Sequence, residues 1–232
     1  MVKQSGSRRA ATAIAAAALA LAAPIAQAAV ANLDFEAAEA RLYFSGEAVL
    51  DSGFQLSVLN EFGAVDTAAG CFIAVCPTGN DTQFFQGFND GHVALTYGNH
   101  QTFQLLGFDA GFIAPFPLPD TAAGSIQLRA ITEAGDTIYK SFQFAPSGAE
   151  GSFAFKTYGS GTAPLSGLGW LRSVEFFACT WDEDGACSNP NQNLGQFALD
   201  NIHLQPIPEP STIALMALGI AGLIARSRRP AR

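Results

Sequence analysis

Between residues 29 and 207 the chain has very little positive charge. Arg41, Arg129, Lys140, Lys156 and Arg172 stand against 19 Asp and Glu, for a net −14. Binding to nucleic acid needs clustered Lys and Arg to meet phosphates, so that class is disfavoured. Divalent cations suit such a surface better, although solubility through self-repulsion accounts for the same composition. Histidine is scarce too: His92, His100 and His203 are the only three. No G-x-S-x-G elbow, P-loop, H-E-x-x-H helix or Rossmann fingerprint occurs, so no catalytic class announces itself. Paired carboxylates for glycoside hydrolysis stay open, because among so many acids some pair lies close by chance. No stretch of this segment keeps an apolar period of 3.6 residues over three turns, which argues against a helical domain.

Long hydrophobic runs are also missing. At the N-terminus, Lys3, Arg8 and Arg9 precede an apolar stretch from Ala10 to Ala23, and Ala26-Gln27-Ala28 follows. Basic stub, short apolar core and small-x-small site read as a secretory signal peptide over residues 1–28. Arg8-Arg9 lacks the bulky apolar residues of a twin-arginine signal, so the general secretory route is expected, with signal peptidase as a partner. At the other end, the uncharged span Ser211 to Ala225 is 15 residues. At about 1.5 Å per residue it reaches only ~22 Å, short of a ~30 Å hydrocarbon core. Pro206, Pro208 and Pro210 prevent the helix from starting earlier. Arg226, Arg228, Arg229 and Arg232 would stay on the cytoplasmic side.

That tail, Pro208-Glu209-Pro210-Ser211-Thr212 followed by an apolar helix and an arginine cluster, resembles the PEP-CTERM sorting domain of Gram-negative bacteria. The resemblance implies an exosortase-type sorting enzyme that reads Pro208, Glu209 and Pro210. It also implies an inner-membrane intermediate, and delivery to the cell surface or the extracellular space alongside exopolysaccharide. The segment before it resembles a narrower group with a Gln-Phe-x-x-Asp motif. Here that motif is Gln196-Phe197-Ala198-Leu199-Asp200, with upstream Cys76-Pro77-Thr78-Gly79-Asn80, Asp90-Gly91-His92-Val93 and Gly107-Phe108-Asp109-Ala110. This second resemblance implies no activity.

With both ends set aside, residues 29–207 are one domain's length. Apolar residues alternate at Ile126, Leu128 and Ala130, at Phe142 and Phe144, at Phe153 and Phe155, and at Val174, Phe176 and Ala178. Gly, Asn and Asp clusters separate these runs, and Glu133 to Asp136 reads as a hairpin turn. The expectation is an all-β domain, an antiparallel β-sandwich of jelly-roll type, with a signal helix before it and a sorting helix after it. Nineteen Phe in the whole chain suit the space between two sheets, since Phe needs no hydrogen bond. The last strand, Gly195 to Leu204, is apolar on both parities and reads as central. Asp200 interrupts it, so it must be paired, metal-bound or turned outward by a bulge near Asn201.

Four cysteines in an exported segment imply disulfides. Three pairings are possible; Cys71 with Cys76 and Cys179 with Cys187 is preferred, because each pair is close in sequence beside turn formers. The spacings do not suit zinc. First- and last-strand acids resemble those of jelly-roll carbohydrate-binding modules that share a structural Ca²⁺. That resemblance implies Glu36 and Asp200 as ligands, with Asp34 behind them; a carboxylate held by amides without metal is the alternative. Trp181 and Tyr97 are candidate sugar-binding aromatics. Together these features describe an exported, non-enzymatic surface or matrix protein associated with exopolysaccharide. A carbohydrate-binding module with structural calcium and a polysaccharide-acting enzyme are the alternatives.

Overall fold

The computed structural model describes residues 29–70, 74–98, 100–115, 124–145, 153–159, 165–181, 187–188, 194–207 and 219. Pro208, Glu209, Pro210, Cys71 and the bodies of both terminal segments lie outside these residues. Among the described residues no helix is long and apolar enough to cross a membrane. Ala29–Ile207 forms one compact unit.

Among the described residues, sixteen strands build this unit. They are β1 (Ala31–Leu33), β2 (Arg41–Phe44), β3 (Ala48–Asp51), β4 (Phe54–Val58), β5 (Phe62–Asp66), β6 (Ala74–Val75), β7 (Phe84–Phe88) and β8 (His92–Tyr97). There follow β9 (Phe103–Phe112), β10 (Ala114–Pro115), β11 (Gly124–Thr132), β12 (Thr137–Gln143), β13 (Lys156–Gly159), β14 (Leu171–Trp181), β15 (Cys187–Ser188) and β16 (Phe197–Pro206). Every pairing between them is antiparallel.

The strands form two layers. The first runs β2-β5-β7-β16-β9, with β1 beside the second half of β16 and β13 on β9. The second runs β12-β11-β14-β8-β4-β3, with β15 on β14. One pair, Phe103 with Leu171, joins them at a corner. Alternation along each strand sends one set of side chains between the layers. Ile126, Leu128 and Ala130 face Val174, Phe176 and Ala178 in register, and all six are buried. Phe rings then bridge the gap: Phe108 of β9 lies edge-on to Phe142 of β12 and Phe176 of β14, each at 5.4 Å. Phe54 of β4 meets Phe103 of β9 at 5.5 Å. The expected antiparallel sandwich is therefore what this sequence forms, and the turn over Glu133–Asp136 closes the β11–β12 hairpin with Gly135 at φ 95°.

Phe153 and Phe155 divide where simple alternation would keep them together. Phe153 enters the main core, while Phe155 packs on Phe84 at 5.2 Å in a second cluster with Ala64, Phe88, Ile113 and Ala198. That cluster coats the outer face of the first sheet. The chain around Ala154 is held there by Thr78, whose N–H donates to Phe153 O at 2.7 Å and whose carbonyl accepts from Phe155 N at 2.9 Å. The cover lies very close. A Cβ on Gly111 would fall 2.6 Å from Pro77 Cβ, so only glycine fits beneath residue 77.

Candidate functional site

The bulge anticipated in the last strand is present at Asn201, whose φ is 47°. Phe197 and Leu199 point into the core before it, and Ile202 and Leu204 point into the core after it. The break lets both halves of β16 bury apolar residues while Asp200 faces outward, like Ala198. Facing outward does not expose it, since the cover over the first sheet leaves it 1% accessible. Asn80, carried by that cover, donates through Nδ2 to Asp200 Oδ2 at 2.6 Å. The Asn201 N–H donates to Oδ1 at 2.7 Å, and Asn201 Nδ2 reaches Oδ2 at 3.3 Å. Asn201 Nδ2 also donates to Asp109 Oδ2 at 3.0 Å, and Asp109 sits directly opposite Asp200 on β9.

Two acids facing each other across a ladder repel. The structure answers with amide donors and with a shift in protonation. Burial pushes the Asp200 carboxyl up to about 6, the Asn80 and Asn201 bonds pull the other way, and the charges of Asp109 and Asp34 push it up again. Three segments quoted for the Gln-Phe-x-x-Asp resemblance thus meet at one point, through Asn80, Asp109 and Asp200. A fourth is tied to the start of the motif, because Asp90 Oδ1 accepts the Gly195 N–H at 2.6 Å.

The expected calcium ligands are not gathered into one shell. Glu36 is engaged elsewhere, where its Oε1 accepts the Gln83 N–H at 2.9 Å. Asp34 Oδ1 accepts the Glu36 N–H at 3.3 Å. Among the described residues no three Asp, Glu, His or Cys side chains are grouped so as to hold a metal ion. The donors around Asp200 are amides, and calcium asks for six to eight hard oxygens. Asn32 Oδ1 is a buried acceptor with no hydrogen-bond donor, which is one oxygen and not a shell. Among the cysteines, Cys76 and Cys179 are disulfide-bonded; the preferred pairing involves Cys71, outside the described residues.

On the second sheet's outer face β14 turns Ser173, Glu175, Phe177, Cys179 and Trp181 away from the core; Ser173, Phe177 and Trp181 are half-buried there, and Glu175 and Cys179 are buried. Cross-strand register assembles them into rows. One row is Ser141, Gln127, Phe177 and His92; the next is Tyr139, Arg129, Glu175, Ala94 and Ser57. His92 lies flat on Phe177, with ring centroids 4.5 Å apart and planes within 3°. Its Nδ1 is 2.5 Å from Glu175 Oε1, and Arg129 Nε donates to Glu175 Oε2 at 2.5 Å. Gln127 Nε2 donates to Ser125 Oγ at 2.6 Å and to Ser141 Oγ at 2.8 Å. Trp181 Nε1 donates to the same Ser125 hydroxyl at 3.3 Å, so the indole stands at the end of this polar row.

Trp181 is therefore half-buried on the outer face, whereas Tyr97 is on the other side. Tyr97 points to the core side of β8 and packs its ring 4.5 Å from Phe54. His92, Gln127, Arg129, Glu175 and Phe177 join Trp181 there, and no motif in the sequence singled them out as its companions. The available signal was the other parity of β14: once Val174, Phe176 and Ala178 are taken as inward, Ser173, Glu175, Phe177 and Trp181 must point out.

Residues 206–229 match the PEP-CTERM protein-sorting motif. The chain thus carries the C-terminal sorting signal of an exported protein. Comparison with curated proteins finds no match. Among solved structures, the CBM22-1 xylan-binding domain from Paenibacillus barcinonensis is 11% identical over 78% of this chain and 96% of that one, with a TM-score of 0.29. A family 11 carbohydrate-binding module from Clostridium thermocellum, in complex with a beta-1,3-1,4-mixed-linked tetrasaccharide, is 14% identical over 76% and 95%, with a TM-score of 0.32. The enzymatically active domain of bacteriophage CBA120 tailspike protein 4 is 16% identical over 67% of this chain and 20% of that one, with a TM-score of 0.28. Scores this low carry no functional argument.

Proposed function

We propose that this exported protein is a non-enzymatic, polysaccharide-binding component of the cell surface or extracellular matrix, and that it binds through the outer face of its second sheet. The observation that supports this reading is the aromatic and amide platform on that face. Trp181 and the His92–Phe177 stack stand beside Gln127, Ser141 and Ser57, which offer both donors and acceptors. Sugar rings need that pairing of an apolar face for the C–H side with hydrogen bonds for the hydroxyls. The sorting tail supports the setting, since an exposed protein meets exopolysaccharide there.

Charge narrows the ligand. Arg129 is the cation of the central rows, and Glu175 already neutralises it. The domain's net −14 repels polyanions. Uncharged polysaccharides are the expected class. A polysaccharide-acting enzyme would need a second acid facing Glu175, which Arg129 and His92 hold in these rows.

Affinity electrophoresis through gels containing neutral or acidic polysaccharides tests the reading. The native protein is expected to be retarded by a neutral polymer. Trp181→Ala and His92→Ala should migrate freely while keeping the native circular dichroism, and Val30→Ser, on an exposed N-terminal residue, should not change binding. Free migration of the native protein in every gel, the host's own exopolysaccharide included, would overturn the binding role. Release of new reducing ends would overturn the non-enzymatic one.

A further inference from the structure

Among the described residues β2 is the free edge of the first sheet. Free edges present unpaired peptide groups and template pairing with another chain. Here the hazard is increased by Leu42 and Phe44, 49% and 57% exposed. Leu42 borders a cleft of about 300 Å³ floored by Phe62, Ala64 and Phe88. Phe44, Phe62 and Phe88 make an aromatic stripe leading inward from the edge, with ring spacings of 6.5 and 5.3 Å.

In an antiparallel pair, alternate residues bond to the neighbouring strand and the others aim their peptide groups away from it. On β2 the residues aimed away from β5 are Leu42 and Phe44, and the Leu42 carbonyl and both backbone groups of Phe44 are already occupied. Arg41 Nη1 donates to the Leu42 carbonyl at 2.7 Å. The Phe44 N–H donates to Glu47 Oε2 at 2.7 Å, and the Phe44 carbonyl accepts the Glu47 N–H at 2.8 Å. Arg41 Nη1 also donates to Glu47 Oε1 at 3.0 Å, so the two caps form one clip. Gly46, at φ 91°, makes the turn that brings Glu47 back over the strand. The Tyr43 ring, 3.9 Å from the guanidinium carbon, and Glu39 at 3.2 Å hold Arg41 in place. The Phe44 amide, and then Arg41, keep the Glu47 carboxyl below its ordinary value, so the clip stays charged.

We propose that the Arg41–Glu47 clip guards a homotypic docking edge, keeping β2 from pairing antiparallel with β2 of a second copy of this chain. A second copy is the occupant this edge suits. A two-fold axis presents the same short strand to itself, continues the first sheet across the join and lays two Leu42–Phe44 stripes side by side on one face. The inference is independent of the polysaccharide reading, because it concerns the other sheet.

Sedimentation equilibrium of the full chain in mild detergent, and of residues 29–207, tests it. The native protein is expected to be monomeric. Glu47→Ala frees the Phe44 N–H and releases Arg41 from its carboxylate partner, while the main-chain bond from residue 47 to the Phe44 carbonyl stays, and it should double the molar mass in a concentration-dependent way. Adding Phe44→Lys to Glu47→Ala places charge on the stripe and should return the monomer. A folded Glu47→Ala protein that stays monomeric at high concentration would overturn the proposal, as would a dimer that Phe44→Lys does not dissolve. If Glu47→Ala fails to fold, Arg41→Ala opens the clip from its other side and is read in the same way.

Discussion

Replacing Asp200 by Asn should remove a pH dependence that the buried nest builds into the protein's stability. Asp200 is buried, and its carboxyl is pushed up to about 6, against 3.8 for the ordinary group. The folded state therefore holds the proton more tightly than the unfolded state does. The resulting stability is fully present below the unfolded value of 3.8 and is lost as pH rises through about 6. The gap corresponds to at most about 3 kcal/mol, and partial screening brings the expected loss to about 1–3 kcal/mol. An Asn at this position carries no charge to bury. It can still accept from the Asn201 N–H, while the side-chain amides of Asn80 and Asn201 turn to suit it. Urea titrations of both proteins between about pH 4 and pH 7 measure the difference. The native protein should lose stability across that window relative to Asp200→Asn, by about 1–3 kcal/mol. Equal slopes would refute the reasoning. So would a native protein that millimolar calcium stabilises at pH 7 while Asp200→Asn is not stabilised, because a cation on Asp200 would keep the carboxylate charged and reverse the slope.

Other substitutions follow from the packing. Gly111→Ala forces a Cβ against Pro77 and should cost about 1–3 kcal/mol in denaturant titration. By lifting the cover it should also weaken the pH dependence assigned to Asp200. Phe108→Ala removes a fully buried ring from between Phe142, Tyr158 and Phe176 and should cost about 3–5 kcal/mol, with a cavity visible to xenon or to pressure. Tyr158→Phe deletes the hydroxyl that donates to Gln143 O at 2.6 Å and should cost about 1 kcal/mol, measured the same way.

Alternation made the second sheet readable. Ile126 to Ala130 and Val174 to Ala178 each bury one parity, and the Glu133–Asp136 turn between complementary runs fixes a local hairpin. The chain's larger moves are not local. Asn89 and Asp90, at φ 55° and 60°, make a tight turn between β7 and β8 that looks like a hairpin, yet the two strands go to different layers. Nothing within those residues states which partner each strand takes; that is settled by which Phe rings can share the gap between the sheets. Asp200 shows the same limit. Its position in an apolar strand marked it as a residue needing company, and the Asn201 bulge was legible, but the company is Asn80 and Asp109. They come from 120 and 91 positions away in sequence, whereas the nearer-seeming Glu36 goes to Gln83.

The two sheets are finished in opposite ways, and that asymmetry favours a ligand on the second. The first sheet's outer face carries apolar side chains at Ala64, Phe84, Phe88 and Ala198, and the chain covers much of it with residues 74–80 and 153–155. Where the cover ends, at β2, the Arg41–Glu47 clip takes over. An acidic protein sent outside the cell can use such protection, since an open apolar sheet edge there invites assembly with other copies. The second sheet's outer face has no such cover across its central rows among the described residues, and its side chains are of the kind that tolerate water and still bind: amides, hydroxyls, one neutralised ion pair and aromatic rings. A face that only needed solubility would do as well with Lys, Glu and Asp, which this chain has in supply on the acidic side. Placing Trp181, Phe177 and His92 there instead is what a ligand would explain.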